Sequence, residues 1–254
     1  MKFKTYIPCD SLKPYVRVVA ISESDIANAY KVLPGTEIVI GFQYKGKLSY
    51  TVNNQEISLS SSGLTGLSDT YRIFHNTDDT GTVLVFFKDG AAANFFQQPI
   101  HELFRESLSL DNFMLRSELL ILEERLQESK SDKQKISVIE NFLISKLNPG
   151  IQDLMVLSAI SMIYKSKGNI RMKDLAKALH TSQSPLEKRF RQKVGTSPKK
   201  FSSLIRFKHS IAQHRPDKPL TDLSYEAGFY DQAHFIKEFR NFTGDSPEIF
   251  FGRK

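Results

Sequence analysis

Two sets of side chains in this sequence offer the same chemistry at the same spacing. Gln183, Ser184, Glu187, Lys188 and Arg191 fall on one face of a helix drawn through them, and Gln232, Ala233, Ile236, Lys237 and Arg240 repeat the arrangement 49 residues further on. Glutamine, lysine and arginine can donate to base edges in the major groove of duplex DNA. Serine and glutamate make shorter contacts, and alanine and isoleucine suit a thymine methyl. Lys199 and Lys200, at a helix start just after Pro198, are placed for phosphates, as are Arg191 and Arg240 at the far ends of the two faces.

Such faces need elements to aim them, and the apolar pattern supplies these twice. Leu175, Ala176 and Leu179 form the stripe of a supporting helix, and Leu186, Phe190 and Val194 pin the following helix against it. In the second unit Leu220, Leu223 and Ala227 support, while Phe235, Phe239 and Phe242 anchor. Gly228 closes the turn between them, and His180 holds the matching position in the first unit, where a left-handed backbone is expected. The repeat is also literal. Lys188, Phe190, Arg191, Gly195, Ser197 and Pro198 return in register as Lys237, Phe239, Arg240, Gly244, Ser246 and Pro247. Two helix-turn-helix units follow, joined by a helix over 199–214 that spans roughly 24 Å, a length able to present recognition helices to successive grooves.

Charge agrees with this assignment. The net charge is +7 over 254 residues, but residues 151–254 hold 19 Lys/Arg against 10 Asp/Glu, whereas 1–150 hold 16 against 18. The basic excess lies in the duplicated half, as displacement of counterions from phosphate requires. Cys9 is the only cysteine, which excludes an intrachain disulfide and a cysteine-built zinc site and fits a reducing cytoplasm. No apolar run approaches the roughly 20 residues of a membrane span, and the first ten residues lack the apolar core of a signal peptide.

The first hundred residues predict short strands. Glu37–Tyr44 and Lys47–Val52 flank Lys45-Gly46 as a hairpin would, and Tyr15–Ile21, Tyr71–His75 and Thr82–Phe87 are further β-branched and aromatic runs. From Ala91 the expectation is helical. Helices over Phe113–Ser129 (Leu115, Leu119, Leu122, Leu126) and Lys133–Leu147 (Ile136, Ile139, Phe142, Leu143, Leu147) serve as domain core or as a dimer interface. Asn148-Pro149-Gly150 ends the second helix, and further helices are expected over 152–166, 172–180, 184–194, 199–214, 220–227 and 232–242. The fold class is α+β: a β-rich sandwich or barrel-like domain with a helical pair over 1–150, then an all-α domain with two helix-turn-helix units over 151–254.

The C-terminal hundred residues resemble the AraC/XylS family of bacterial transcription regulators. The resemblance is carried by Leu175-Ala176, Ser182, Leu186, Lys188, Phe190, Gly195, Ser197-Pro198 and Arg206, then by Gly228-Phe229, Asp231-Gln232, His234-Phe235 and Phe239 through Gly244 to Ser246-Pro247. It implies base reading through Ser184, Glu187 and Lys188 in the first unit and Gln232, Ala233, His234 and Lys237 in the second. Ser210, Gln213, His214 and Ser224 depart from the apolar residues usual at those positions, and Pro216 and Pro219 stiffen the return loop. The N-terminal half resembles, more loosely, the effector domains that accompany this family.

The implied partners are double-stranded DNA, a small-molecule effector, a second copy of the chain and, for an activator, RNA polymerase. Catalytic residues, cofactors and a metal are not expected. His75 and His101 are the only histidines of the N-terminal half, Ser61-Ser62 and Ser182-Ser184 lack triad partners, and Cys9 reads as a quiet residue. The alternative is a small-molecule-binding or enzymatic β-domain with secondary DNA binding, which a cavity with convergent polar groups in residues 1–110 would favour.

Overall fold

A computed structural model describes residues 2–52, 55–215, 219–226, 228–229 and 231–252. Among the described residues ten strands come first: β1 (Lys2–Tyr6), β2 (Val16–Ser24), β3 (Asn28–Val32), β4 (Val39–Lys45), β5 (Leu48–Val52), β6 (Gln55–Ser58), β7 (Ser62–Thr65), β8 (Arg72–Asn76), β9 (Thr80–Phe87) and β10 (Ser107–Ser109). They form two antiparallel sheets, one ordered β1-β2-β9-β4-β7-β10 and the other β3-β8-β5-β6. Along β4 and β9 alternate residues point to opposite faces. Ile40, Phe42, Tyr44, Val83, Val85 and Phe87 are buried on one face, where Phe42 meets Phe142 edge-on at 5.9 Å. Val39, Gly41, Gln43, Thr82, Leu84 and Phe86 turn the other way, into the space between the sheets.

The helices α1 (Arg116–Glu128) and α2 (Asp132–Lys146) cover the first face through Leu119, Leu122, Leu126, Ile136, Ile139 and Leu143. Leu115, expected in that stripe, instead precedes α1 and is exposed. Between the strands and α1 the expected helical stretch holds 3-10 turns at Ala91–Asn94 and Ile100–Leu103 and the strand β10, which pairs with β7.

The hairpin expected around Lys45-Gly46 does not form. β4 pairs with β7 and β9, whereas β5 pairs with β6 and β8, so the turn carries the chain from one sheet to the other. The side chain of Gln43 explains the local break: its Oε1 accepts from the Leu48 N–H at 2.7 Å, and its Nε2 donates to Ser60 O at 2.6 Å. A donor that would have joined a β4–β5 ladder is thus used by a side chain.

The C-terminal helices are α3 (Leu154–Lys165), α4 (Met172–Ala178), α5 (Gln183–Val194), α6 (Pro198–Gln213), α7 (Leu220–Glu226), α8 (Gln232–Thr243) and α9 (Pro247–Gly252). Asp153 caps α3, Ser197 caps α6 and Asp231 caps α8, each accepting a backbone N–H of the first turn, and Pro198 opens α6 where its missing N–H costs nothing. The short helix α9 lies beyond the helices expected from sequence.

The core is unevenly shared. One apolar cluster runs without interruption from Val19, Ile40 and Phe42 through Phe95, Phe96 and Ile100 to Ile160, Leu186, Phe190, Val194 and Phe201. The first helix-turn-helix unit therefore shares its core with the sheet. A separate cluster of Leu204, Phe207, Leu223, Phe229, Phe235, Phe239 and Phe242 holds the second unit, and the only N-terminal residue packed on it among the described residues is Leu33.

Candidate nucleic-acid interface

The two candidate recognition helices are α5 and α8. Leu186, Phe190 and Val194 are buried on α5, with Phe190 edge-on to Phe201 at 5.5 Å. Phe235, Phe239 and Phe242 are buried on α8, with Phe239 edge-on to Phe207 at 5.5 Å. Ala227 and Pro216, singled out by pattern, lie outside the described residues. At the helix starts, His180 has φ 51° and Gly228 has φ 78°, so the two turns share the left-handed step expected of them. Gly195 (φ 96°) and Gly244 (φ 80°) end α5 and α8 in the conformation that favours glycine.

Burying those stripes leaves the predicted reading faces in solvent. On α5, Gln183, Ser184, Glu187, Lys188 and Arg191 are exposed. Glu187 and Arg191 pair with each other one turn apart at 2.8 Å, so part of the first face is already charge-matched. On α8, Ala233, His234, Lys237 and Arg240 are exposed, while Gln232 and Ile236 are half-buried. Gln232 Oε1 accepts from Thr221 Oγ1 at 3.3 Å, and the His234 ring lies 5.5 Å from that of Phe229. Lys199 is exposed.

Lys200 is held differently. Its ammonium lies 2.8 Å from Asp69 Oδ2, and Asp69 also accepts from Arg105 Nε at 2.5 Å. Burial alone would raise the Asp69 carboxyl, but the two cations bonded to it hold it below the usual carboxylate range. Further polar contacts clip the helices to the sheets. Lys208 donates to both Glu37 oxygens at 2.8 and 3.0 Å, and Glu37 also pairs with Arg17. Lys31 donates to Thr243 O and to Asp245 at 2.9 Å each, and Asn241 Nδ2 donates to Asp69 O at 2.8 Å. Tyr164 donates to Asp89 at 2.6 Å, and burial pushes the Asp89 carboxyl up. The contacts between helices and sheets join residues more than seventy positions apart, and no local sequence signal announces them.

The departures at Ser210 and Ser224 are absorbed without unpaired hydroxyls. Each buried hydroxyl donates to the carbonyl three residues earlier, Ser210 to Phe207 O at 2.8 Å and Ser224 to Thr221 O at 2.7 Å.

A cavity of about 400 Å3 lies between the two sheets, within the range of small-molecule sites. Its walls mix Val39, Leu84, Phe86 and Phe74 with Asn76 and Thr82. No group of three or more metal-ligating side chains occurs among the described residues, and His75 Nε2 lies 2.8 Å from Thr51 Oγ1. No helix among the described residues is long and apolar enough to cross a membrane.

Two amphipathic helices, each braced by a shorter one and offering a basic and amide-bearing face from the basic half of the chain, define a helix-turn-helix DNA-binding protein. Residues 175–253 match a family described as a helix-turn-helix domain, and residues 4–109 match a domain of unknown function, DUF6597. The chain is 25% identical over 231 residues to the Msm operon regulatory protein of Streptococcus mutans, across 84% of this chain and 83% of that one. Among solved structures it is similar to ToxT from Vibrio cholerae (15% identity, 99% of this chain and 98% of that one, TM-score 0.47). It is also similar to the AraC-like transcriptional activator CuxR (13% identity, 87% and 89%, TM-score 0.31). The chain is a transcriptional regulator whose DNA-binding part is the C-terminal pair of helix-turn-helix units.

Proposed function

We propose that residues 151–254 bind a composite site on duplex DNA by placing α5 and α8 in successive major grooves, while residues 1–150 sense a small-molecule effector and dimerise. The observation that supports the DNA geometry is the pairing of two buried stripes, Leu186/Phe190/Val194 and Phe235/Phe239/Phe242, with two exposed faces of matching chemistry. Gln183, Ser184, Glu187 and Lys188 on α5, and Gln232, Ala233, His234 and Lys237 on α8, read base edges; Arg191, Lys199, Lys200 and Arg240 hold phosphates. The inter-sheet cavity supports effector sensing. Among the described residues, hydroxyls and amides line it and no carboxylate, histidine or lysine does, which suits binding rather than acid–base chemistry. The exposed Leu120 and Ile121 on α1 support a homodimer, and for an activator RNA polymerase is the further partner.

Selection of bound sequences from a random duplex library by the full-length protein at fixed salt tests the reading. The expected result is an enriched motif of two elements about one helical turn apart. Enrichment of a single short element overturns the two-groove geometry, and no enrichment overturns autonomous sequence-specific binding.

A further inference from the structure

The two reading faces are built on one repeat, yet they differ where they would meet base edges. At the offset of 49 residues Lys188 corresponds to Lys237 and Arg191 to Arg240, whereas Ser184 corresponds to Ala233 and Glu187 to Ile236. Serine and glutamate thus stand one turn apart on α5 where α8 carries alanine and isoleucine. Glu187 is the one acid of α5, and a bare carboxylate in a major groove would be repelled by the phosphates on either side. Arg191 offsets that repulsion. Its Nε and Nη2 both donate to Glu187 Oε1, at 2.9 and 2.8 Å, which fixes the carboxylate and leaves Oε2 without a partner among the described residues. Nη1 of the same guanidinium remains for a phosphate. The second unit lacks this device: four residues before Arg240 stands Ile236, so Arg240 has no acid to hold.

A fixed carboxylate oxygen is an acceptor and needs a donor. In the major groove guanine and thymine offer only acceptors to it, and the adenine N6 donor adjoins N7, whose lone pair would face the acid. The cytosine N4 donor has no acceptor beside it. Ile236 is different again. It packs on the aromatic cluster of the second unit, stays half-buried, and has the exposed Ala233 one turn before it, so this part of α8 is apolar and suits a thymine methyl. We propose that the two units read unlike bases through equivalent positions: Glu187, positioned by Arg191, selects cytosine, and Ile236 selects thymine, each beside a guanine read by Lys188 or Lys237. This deepens, and rests on, the reading of α5 and α8 as base-reading helices. The composite site is then two related but unequal elements, and it has a direction that a single copy of the chain can follow.

Selection from a random duplex library, run in parallel with the full-length wild-type protein and with Glu187→Gln, Glu187→Ile, Arg191→Ala and Arg240→Ala, tests the assignment. All three positions are exposed, so the variants keep the packed stripes. The wild-type protein should enrich one element with cytosine beside guanine and one with thymine beside guanine, the cytosine preferred about fivefold or more over other bases. Glu187→Gln should change that cytosine to adenine, because a glutamine amide meets both N6 and N7. Glu187→Ile should change it to thymine and make the two elements alike. Arg191→Ala should lower the preference for cytosine, whereas Arg240→Ala should weaken binding to all sequences alike and leave both preferences as they were. A cytosine preference unchanged in Arg191→Ala overturns the positioning role. A two-element motif whose first element is the same for the wild-type protein and both Glu187 variants overturns the proposal and leaves the two-groove reading standing. Failure of the wild-type protein to enrich any two-element motif overturns that reading, and the proposal with it.

Discussion

Replacing Asp69 with asparagine removes the charge that Lys200 and Arg105 share while keeping the side chain's shape. The carboxylate is 3% exposed, but its partners are 40% and 54% exposed. Breaking a buried pair costs about 3–5 kcal/mol when the surviving charge stays buried. Here both survivors can reach water, which moves the cost toward the roughly 0.2–1 kcal/mol of an exposed pair. We expect a stability loss of about 1–3 kcal/mol at neutral pH. The carboxyl titrates below its usual range in the folded protein. Its stabilisation is therefore present above the unfolded value of about 3.9 and is lost as pH falls through the lower folded value. Wild-type and variant melting curves should accordingly converge under acid conditions. DNA binding should move the other way. The Lys200 ammonium must leave Asp69 to reach a phosphate, and relief of about 0.5–1 kcal/mol raises affinity roughly two- to fivefold. The gain should be equal for cognate and scrambled duplexes, because a phosphate contact carries no base information. Titration of both duplexes at fixed salt measures it. A folded variant with unchanged or weaker binding refutes the competition, and a gain confined to one sequence refutes the phosphate role of Lys200.

Other outcomes follow from packing and from the exposed faces. Phe190→Ala, at a fully buried ring against Phe201, should cost about 3–5 kcal/mol in chemical denaturation. Gly244→Ala should lose more than about 1 kcal/mol, since φ is +80° and the new Cβ would lie 2.5 Å from the Tyr71 ring; a neutral thermal melt would show that the α8 terminus relaxes freely. Lys237→Ala should cost roughly 1–3 kcal/mol at a cognate site and relax the preference there, with unchanged preference refuting base reading. Lys199→Ala should weaken binding to every duplex alike and lower the salt slope by about one, and a sequence-selective loss would contradict that role.

The C-terminal half was legible in sequence because its signals are local. Buried side chains recur at helical spacing in α5 and α8, and Gly195 and Gly244 stop both helices. Even the left-handed step at His180 was readable from its alignment with Gly228. The sheets were less legible. Lys45-Gly46 has the composition of a hairpin turn, yet strand partners are chosen by which faces can be buried together and, here, by the Gln43 amide capturing the Leu48 N–H. The strand β10 is three residues of serine and leucine, too short for any period to appear. The burial of Arg72 gave no sign in the sequence at all. A charged residue at a strand start ordinarily faces water, and only the closure of two sheets buries it.

The two reading units repeat one pattern but are tethered unequally, and the inequality follows from which core each one joins. The first shares its apolar cluster with the large sheet, so α5 moves only if that core repacks. The second has its own cluster and depends on α6 and on polar clips from β3 and from the segment before β8. β3 has two sides. Tyr30 and Val32 face the cavity, while Lys31 between them grips the carbonyl end of α8 at Thr243 and the Asp245 carboxylate, where a cation also suits the negative end of the helix. The segment before β8 likewise offers Asp69 and Tyr71 to α6 and the end of α8, and Arg72 to the inside. A single layer of backbone thus separates the cavity from the supports of the second unit. A ligand biases the position of α8 only by the difference in its affinity for the two arrangements of that layer. On the proposed reading of the cavity as an effector site, the spacing of α8 from α5, rather than the shape of either helix, is the quantity a bound ligand would change.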